Sequence, residues 1–338
     1  MSQIDKSRIA AVELEPWEIE RFRAEFPDGK FFTAHVAEAG DIGDPEALAV
    51  FIYSPITADV LERLSSLKFI TTMSTGFDHI DLAACQKRGI VVSNVPSYGE
   101  NTVAEHALAL LLALSRKIVP SVERTREGDF RLDDLRGVDL AGKTMGVVGT
   151  GRIGQRFIAM ANGLRMKVVA YDPMPKTELA AQLGFIYVSL EELLKQSDAV
   201  SLHAPAVAET FHLLNEERLQ MMKPGAFLVN TARGTLIDTQ ALLRVLESGH
   251  LSGVGLDVLE EECTIKEERE LLSKVFQQQC DLKTLLADHM LVNHPKVIIT
   301  PHNAFNSHEA LERILTTTFE NIKAWQAGRP MNIVTPTL

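Results

Sequence analysis

Cysteine, long apolar runs and excess positive charge are all scarce in this chain. Three cysteines in 338 residues (Cys85, Cys263 and Cys280) are too few and too scattered for a disulfide framework or a zinc cage, so no metal site is expected. The longest apolar run, Ala107–Leu114, is eight residues, whereas a membrane span needs about 20. Its N-terminal MSQIDKSR has no apolar core of the kind a secretory signal carries. With 34 Lys+Arg against 45 Asp+Glu, the formal net charge is −11, which argues against nucleic acid or an anionic membrane as the main partner. No short-period repeat or low-complexity tract is visible. The expectation is a soluble cytoplasmic protein. At 46% hydrophobic and 23% charged residues, its length suits two domains, each with its own core.

Short β-rich runs alternate with amphipathic stretches, the pattern of βαβ units and parallel sheets. The first third offers strands at Arg8–Leu14, Ala49–Tyr53, Lys68–Ser74 and Ile90–Asn94, with helices near Trp17–Phe26, Ala58–Leu64 and Leu82–Lys87. A second series of strands follows at Thr144–Gly149, Lys167–Asp172, Ala199–His203, Ala226–Asn230, Val254–Asp257 and Val297–Thr300. Two doubly wound α/β domains of the Rossmann or flavodoxin-like kind are therefore expected. Between the series, Asn101–Lys117 becomes apolar on every side in its second half, as a helix buried on more than one face would; packing against a second subunit is one such burial, and a homodimer is expected. The amphipathic stretch His308–Ala327 has no strand partners of its own and is expected to return to the first domain. That domain would then comprise 1–101 with 302–338, and the second would be 102–301.

The segment from Lys143 to Asp172 reads as strand, glycine turn, helix, strand. Gly149, Gly151 and Gly154 fit G-x-G-x-x-G: a tight turn, an open backbone for pyrophosphate, and close helix packing. Asp172 ends the next strand 18 residues past Gly154; a carboxylate there accepts ribose hydroxyls and repels a 2′-phosphate, so NAD is expected rather than NADP. Ligands of open parallel sheets bind at the carboxyl ends of the strands. Those ends carry Asp172, His203-Ala204-Pro205, Asn230-Thr231-Ala232-Arg233, Asp257 and His302.

The stretches STGFDHID, VPSYGENTVAEHALALLLAL, GVVGTGRIG, SLHAP, MKPGAFLVNTARGTLID, GLDVLEEE and ITPHNAF resemble, in order, the D-isomer-specific 2-hydroxyacid dehydrogenases, and within them the D-lactate dehydrogenase branch. The resemblance implies a substrate domain built from both termini, a central NAD domain, and chemistry in a cleft between them. It carries over Arg233, Glu262 and His302 as the catalytic set. Reduction of a 2-keto acid needs a proton at the carbonyl oxygen, which an imidazole can deliver near neutral pH. An acidic neighbour such as Glu262 would orient it, Glu260 being the alternative, and a guanidinium suits the substrate carboxylate. The implied cofactor set is Gly149, Gly151, Arg152, Ile153, Gly154, Asp172, His203, Ala204, Pro205, Thr231, Ala232, Arg233, Asp257, His302 and Ala304, with Asp257 tuning the catalytic pair. The implied substrate set is Thr75, Gly76, Tyr98, Arg233 and His302, with backbone N–H groups of the Thr75–Gly76 loop holding the carboxylate. Tyr53, Met73 and Phe305 are weaker wall candidates. His106 reads as a packing or interface residue.

The chain departs from many relatives in the charged, helix-prone insert between Glu262 and His302, and in Cys263, which would make activity sensitive to oxidation. Formate dehydrogenases carry glutamine where Glu262 stands. L-lactate and malate dehydrogenases place the glycine turn near the N-terminus. Glyoxylate/hydroxypyruvate and phosphite enzymes stay open, as does an NAD-sensing corepressor, a binding module of the same fold.

Overall fold

The computed structural model describes residues 8–260 and 282–334. Glu262, Cys263, Cys280 and most of the insert lie outside the described residues. The chain divides into two compact units, Met1–Tyr98 with Ser307–Leu338, and Gly99–Asn306.

The first unit holds a five-stranded parallel sheet of β1 (Ile9–Ala11), β2 (Lys30–Phe31), β3 (Ala47–Val50), β4 (Phe69–Thr72) and β5 (Val91–Ser93), ordered β2-β1-β3-β4-β5. Its central strands β3 and β4 are buried on both faces, as packing between helices requires. Helices α1 (Pro16–Glu25), α2 (Ala58–Arg63) and α3 (Leu82–Lys87) connect them. Proline opens α1, while Thr57 and Asp81 cap α2 and α3 through Val60 and Ala84 N–H. The strand expected at Ala49–Tyr53 runs instead from Ala47 to Val50, and beyond its end the chain turns onto Glu13. Tyr53 N–H donates to Glu13 Oε2 at 3.2 Å, and the Ser54 hydroxyl donates to the same carboxylate.

A C-terminal helix, His308–Gln326, completes this unit. Phe319 meets Phe22 and Phe26 edge-on at 4.8 and 5.6 Å, and Trp325 stacks on Phe69 at 5.2 Å. Asn321 is fully buried; its Nδ2 donates to Thr71 Oγ1 (3.2 Å) and Asn94 O (2.9 Å), and its Oδ1 accepts from Asn332 Nδ2 (2.8 Å).

The second unit begins with α4 (Glu100–Ser115) and α5 (Ile118–Arg126), joined at Lys117 in the left-handed region (φ 55°). Next come β6 (Thr144–Val148), α6 (Arg152–Gly163), β7 (Lys167–Tyr171), α7 (Thr177–Leu183), β8 (Ile186–Tyr187), α8 (Leu190–Gln196) and β9 (Ala199–Leu202). The series ends with α9 (Glu216–Met221), β10 (Phe227–Asn230), α10 (Thr239–Glu247), β11 (Gly253–Leu256), α11 (Leu282–Val292) and β12 (Val297–Ile299), so the C-terminal helix is α12. The sheet is parallel throughout, ordered β12-β11-β10-β9-β6-β7-β8. Strand order reverses between β6 and β9, the crevice where doubly wound folds take ligands. The buried face of α4 (Ala104, Ala107, Leu110, Leu111 and Leu114) shares a core with Phe157, Ile158, Met145 and Val229.

Candidate active site

The glycine turn lies at the strand-order reversal, and two of its three glycines are there by contact. A Cβ on Gly149, whose φ is +93°, would stand 2.6 Å from His203 O, and one on Gly154 would stand 2.1 Å from Gly149 O. Gly151 faces open space. The helical ladder of α6 starts with Gln155 N–H to Gly151 O, leaving Ile153 and Gly154 N–H with no acceptor among the described residues, a ready anion site. Arg152 flanks it, 3.7 Å from Glu100.

Asp172 closes the crevice at the end of β7. Its Oδ2 accepts from Thr150 N–H and Oγ1–H, each at 2.8 Å, and its Oδ1 from Met174 N–H at 2.9 Å. Burial works against the charge, but the Thr150 and Met174 donors outweigh it and hold the carboxyl below its ordinary range. The anion keeps lone-pair capacity for a ribose hydroxyl. Thr150 also meets Tyr187 Oη at 2.9 Å. Neither Thr150 nor Tyr187 was marked by sequence reasoning, since the motif leaves its x positions free and β8 is only two residues long.

His203 follows β9 with its Nε2 2.9 Å from Ser201 Oγ and its ring 4.9 Å from Phe157. Burial pushes it down to about 3, which favours the neutral ring. Ala204, half-buried, packs on the core, and Pro205 is exposed. At the end of β10, fully buried Asn230 brackets the turn: its Nδ2 donates to Arg233 O (2.8 Å) and its Oδ1 accepts from Ala232 N–H (3.0 Å). Thr231 Oγ1 is buried with no partner among the described residues, an orphan that a bound ligand can satisfy. An open Gly151, unclaimed N–H groups, the Asp172 anion and this hydroxyl together fit a dinucleotide. Gly234 lets the Arg233 turn press on the segment after β11, because a Cβ there would stand 2.0 Å from Leu259 O. Arg233 Nη1 donates to Ala232 O at 2.8 Å.

Asp257, 1% exposed, follows β11. Its Oδ1 accepts from Thr300 Oγ1–H (2.5 Å) and Asn303 N–H (3.0 Å), its Oδ2 from Ala304 N–H (2.8 Å). The carboxylate thus gathers the loop after β12 around itself. His302 lies within that loop in the left-handed region, φ +50°, with its N–H on Thr300 O at 2.9 Å. Asn303 Oδ1 is buried without a partner among the described residues. Glu260, the alternative acidic neighbour for His302, is engaged elsewhere: its Oε1 is 2.5 Å from His212 Nε2, and its Oε2 accepts from Thr239 N–H at 3.3 Å. Among the described residues no cluster could hold a metal ion.

In the first unit, the loop after β4 is pinned from three sides. Ser74 Oγ donates to Gly76 O (2.6 Å), Thr75 Oγ1 to Val95 O (2.9 Å), and Asn94 Nδ2 to Thr75 O (2.8 Å). The Thr75 and Gly76 N–H groups are left without acceptors among the described residues. Tyr98 O accepts from Arg313 Nε at 2.7 Å. Met73 is core, Phe305 is half-buried and Tyr53 is exposed.

Residues 108–304 match the family described as D-isomer specific 2-hydroxyacid dehydrogenase, NAD binding domain. The D-lactate dehydrogenase of Escherichia coli is 38% identical over 285 residues, 84% of this chain and 84% of that one. A glyoxylate reductase of Korarchaeum cryptofilum is 36% identical over 298 residues, 87% of this chain and 83% of that one. Among solved structures, the D-lactate dehydrogenase of Aquifex aeolicus, complexed with NAD and lactic acid, aligns with a TM-score of 0.84 at 36% identity, covering 98% of this chain and 100% of that one. With two parallel α/β sheets, a crevice that fits a dinucleotide, and relatives of this identity over most of its length, the chain belongs to the D-isomer-specific 2-hydroxyacid dehydrogenases and is an NAD-dependent enzyme of that family.

Proposed function

We propose that the enzyme reduces a small 2-keto acid to the D-2-hydroxy acid, with pyruvate and D-lactate as the leading pair. The supporting observation is the Asp257 cage, which holds the His302 loop at the carboxyl end of β12. NADH, when bound, supplies the hydride; Gly149, Gly151, Gly154, Asp172 and Thr231 are the residues to hold it. His302 delivers the proton to the carbonyl oxygen and removes it in the reverse direction. Arg233 takes the substrate carboxylate and polarises the keto group. Thr75 and Gly76 contribute unclaimed N–H donors for the same kind of anion. Glu262 is assigned as the acidic partner of His302 on resemblance, and it lies outside the described residues.

Glyoxylate or hydroxypyruvate is the second reading, favoured by relatives named for glyoxylate at similar identity. The test is NADH oxidation with pyruvate, hydroxypyruvate, glyoxylate, phenylpyruvate and 2-ketoisocaproate, followed by chiral analysis of the product. Fastest turnover of pyruvate to D-lactate is expected. A pure L-product overturns the reading, fastest turnover of glyoxylate moves it to the second substrate class, and no turnover with intact NADH binding points to a corepressor-like module. His302→Ala should lower kcat/KM by about 10²–10⁴-fold with NADH affinity retained.

The enzyme works in this reading as a homodimer in the cytoplasm. Support for the dimer comes from α5 and the segment after it, which expose Ile118, Val122, Phe130 (76%) and Leu132 (82%). Arg124 Nη1 ties that segment to α5 by donating to Arg131 O at 3.1 Å and to Asp133 O. An exposed apolar face of this kind marks an interaction surface.

A further inference from the structure

Helix α4 crosses β11 in a matched register. Gly253 leaves room for Leu114, whose Cδ2 would stand 3.1 Å from an added Cβ, and Gly255 leaves room for Leu110, 3.0 Å away at its Cβ. Two residues of strand advance about 6.6 Å and four residues of helix about 6.0 Å, so each step of two along β11 meets a step of four back along α4. The next pair in the series is Asp257 with His106, and the contact is present: His106 Nε2 is 3.4 Å from Asp257 Oδ1 and 3.0 Å from Thr300 Oγ1.

Proton bookkeeping fixes the direction of these bonds. The Thr300 hydroxyl has one hydrogen, and it goes to Asp257 Oδ1, because a carboxylate oxygen at 2.5 Å can only accept, while the other candidate acceptors, His106 Nε2 and Leu256 O, lie at 3.0 and 3.5 Å. Its oxygen can therefore only accept from His106, which makes Nε2 the protonated ring nitrogen. The result is a directed chain, His106 Nε2–H to Thr300 Oγ1–H to Asp257 Oδ1, in which each bond strengthens the next. The far end of the chain is the carboxylate that grips Asn303 and Ala304 N–H on the C-terminal side of His302.

We propose that His106 is a positioning residue for keto-acid reduction: its Nε2–H, through the Thr300 hydroxyl, fixes the Asp257 carboxylate and so holds the His302 loop in its left-handed turn. The inference rests on the reading of His302 as the proton donor. Helix α4 supplies a rigid platform, because its apolar face is locked into the core of the unit. A residue with φ near +50° needs such external restraint to stay put, and a displacement of about 1 Å at a reacting group can lower rate about 100-fold.

The test compares His106→Leu with His106→Gln, and Thr300→Val with Thr300→Ser, measuring steady-state kinetics with pyruvate, NADH affinity by fluorescence titration, and thermal stability. His106→Leu and Thr300→Val should each lose about 10- to 100-fold in kcat with NADH affinity within about twofold. His106→Gln and Thr300→Ser, which restore an N–H and an O–H, should recover most of that loss. The double variant His106→Leu/Thr300→Val should be no slower than the worse single variant, since both break one chain. A His106→Leu enzyme within about twofold of the parent, or single losses that multiply in the double variant, overturns the proposal. If His106→Leu fails to fold, the contrast between Thr300→Val and Thr300→Ser decides: equal kcat in the two overturns the proposal. His302→Ala separates the underlying reading: full activity there removes the proton donor itself, whereas a dead His302→Ala beside an unaffected His106→Leu removes only the positioning role.

Discussion

At the scale of single residues, the crevice proposed for the cofactor contains groups whose surroundings bias their charge. Burial favours the neutral ring of His203. Asp172 is held as an anion by Thr150 and Met174. A carboxyl whose folded value lies below its unfolded one contributes stability that is full above the ordinary aspartate range, near pH 4, and is lost as pH falls through the folded value. Asp172→Asn should therefore lower Tm by a constant amount from about pH 7 to pH 5, with the gap to the parent closing below about pH 4; thermal melts of the ligand-free proteins across that range check it. A gap that widens toward acid would contradict the assignment. Much of this crevice was legible in advance, because G-x-G-x-x-G and a strand-terminal Asp are local patterns with a physical cause. Thr150, Tyr187 and Thr300 were not, because their roles arise from strands distant in sequence that only the sheet brings together. His106 read as packing for the same reason: its partner Asp257 is 151 positions away (257 − 106).

At the scale of elements, the alternation of β-rich runs with amphipathic stretches found the main strands and the first unit's three connecting helices. It missed β2 and β8, two-residue edge strands with too few residues to show alternation. It also missed α5, whose apolar residues are exposed, so no core-facing stripe was present to read. Helix α12 followed the expected span closely, and what holds it is polar as well as aromatic. Removing Asn321 strands the buried Thr71 Oγ1 and Asn94 O and the half-buried Asn332 Nδ2. Asn321→Ala should cost the first unit about 2–4 kcal/mol. Both tryptophans of the chain, Trp17 and Trp325, lie in that unit, so urea titration followed by tryptophan fluorescence reports it selectively. An unchanged midpoint would mean that the amide network contributes nothing net.

At the scale of the whole molecule, the exposed apolar face of α5 and residues 130–132 is the feature that predicts assembly. Phe130→Asp with Leu132→Asp should convert a dimer into a monomer in analytical ultracentrifugation at micromolar concentration; a parent protein that already sediments as a monomer would refute the assembly. The wiring of the first unit carries a different consequence. Its aromatic cluster joins Phe22, Phe26 and Phe69 to Phe319 and Trp325, side chains separated by more than two hundred residues of translation. While the ribosome is still working through residues 99–306, those early phenylalanines have no lid. A nascent or prematurely terminated chain ending before His308 would leave them without these late aromatic partners.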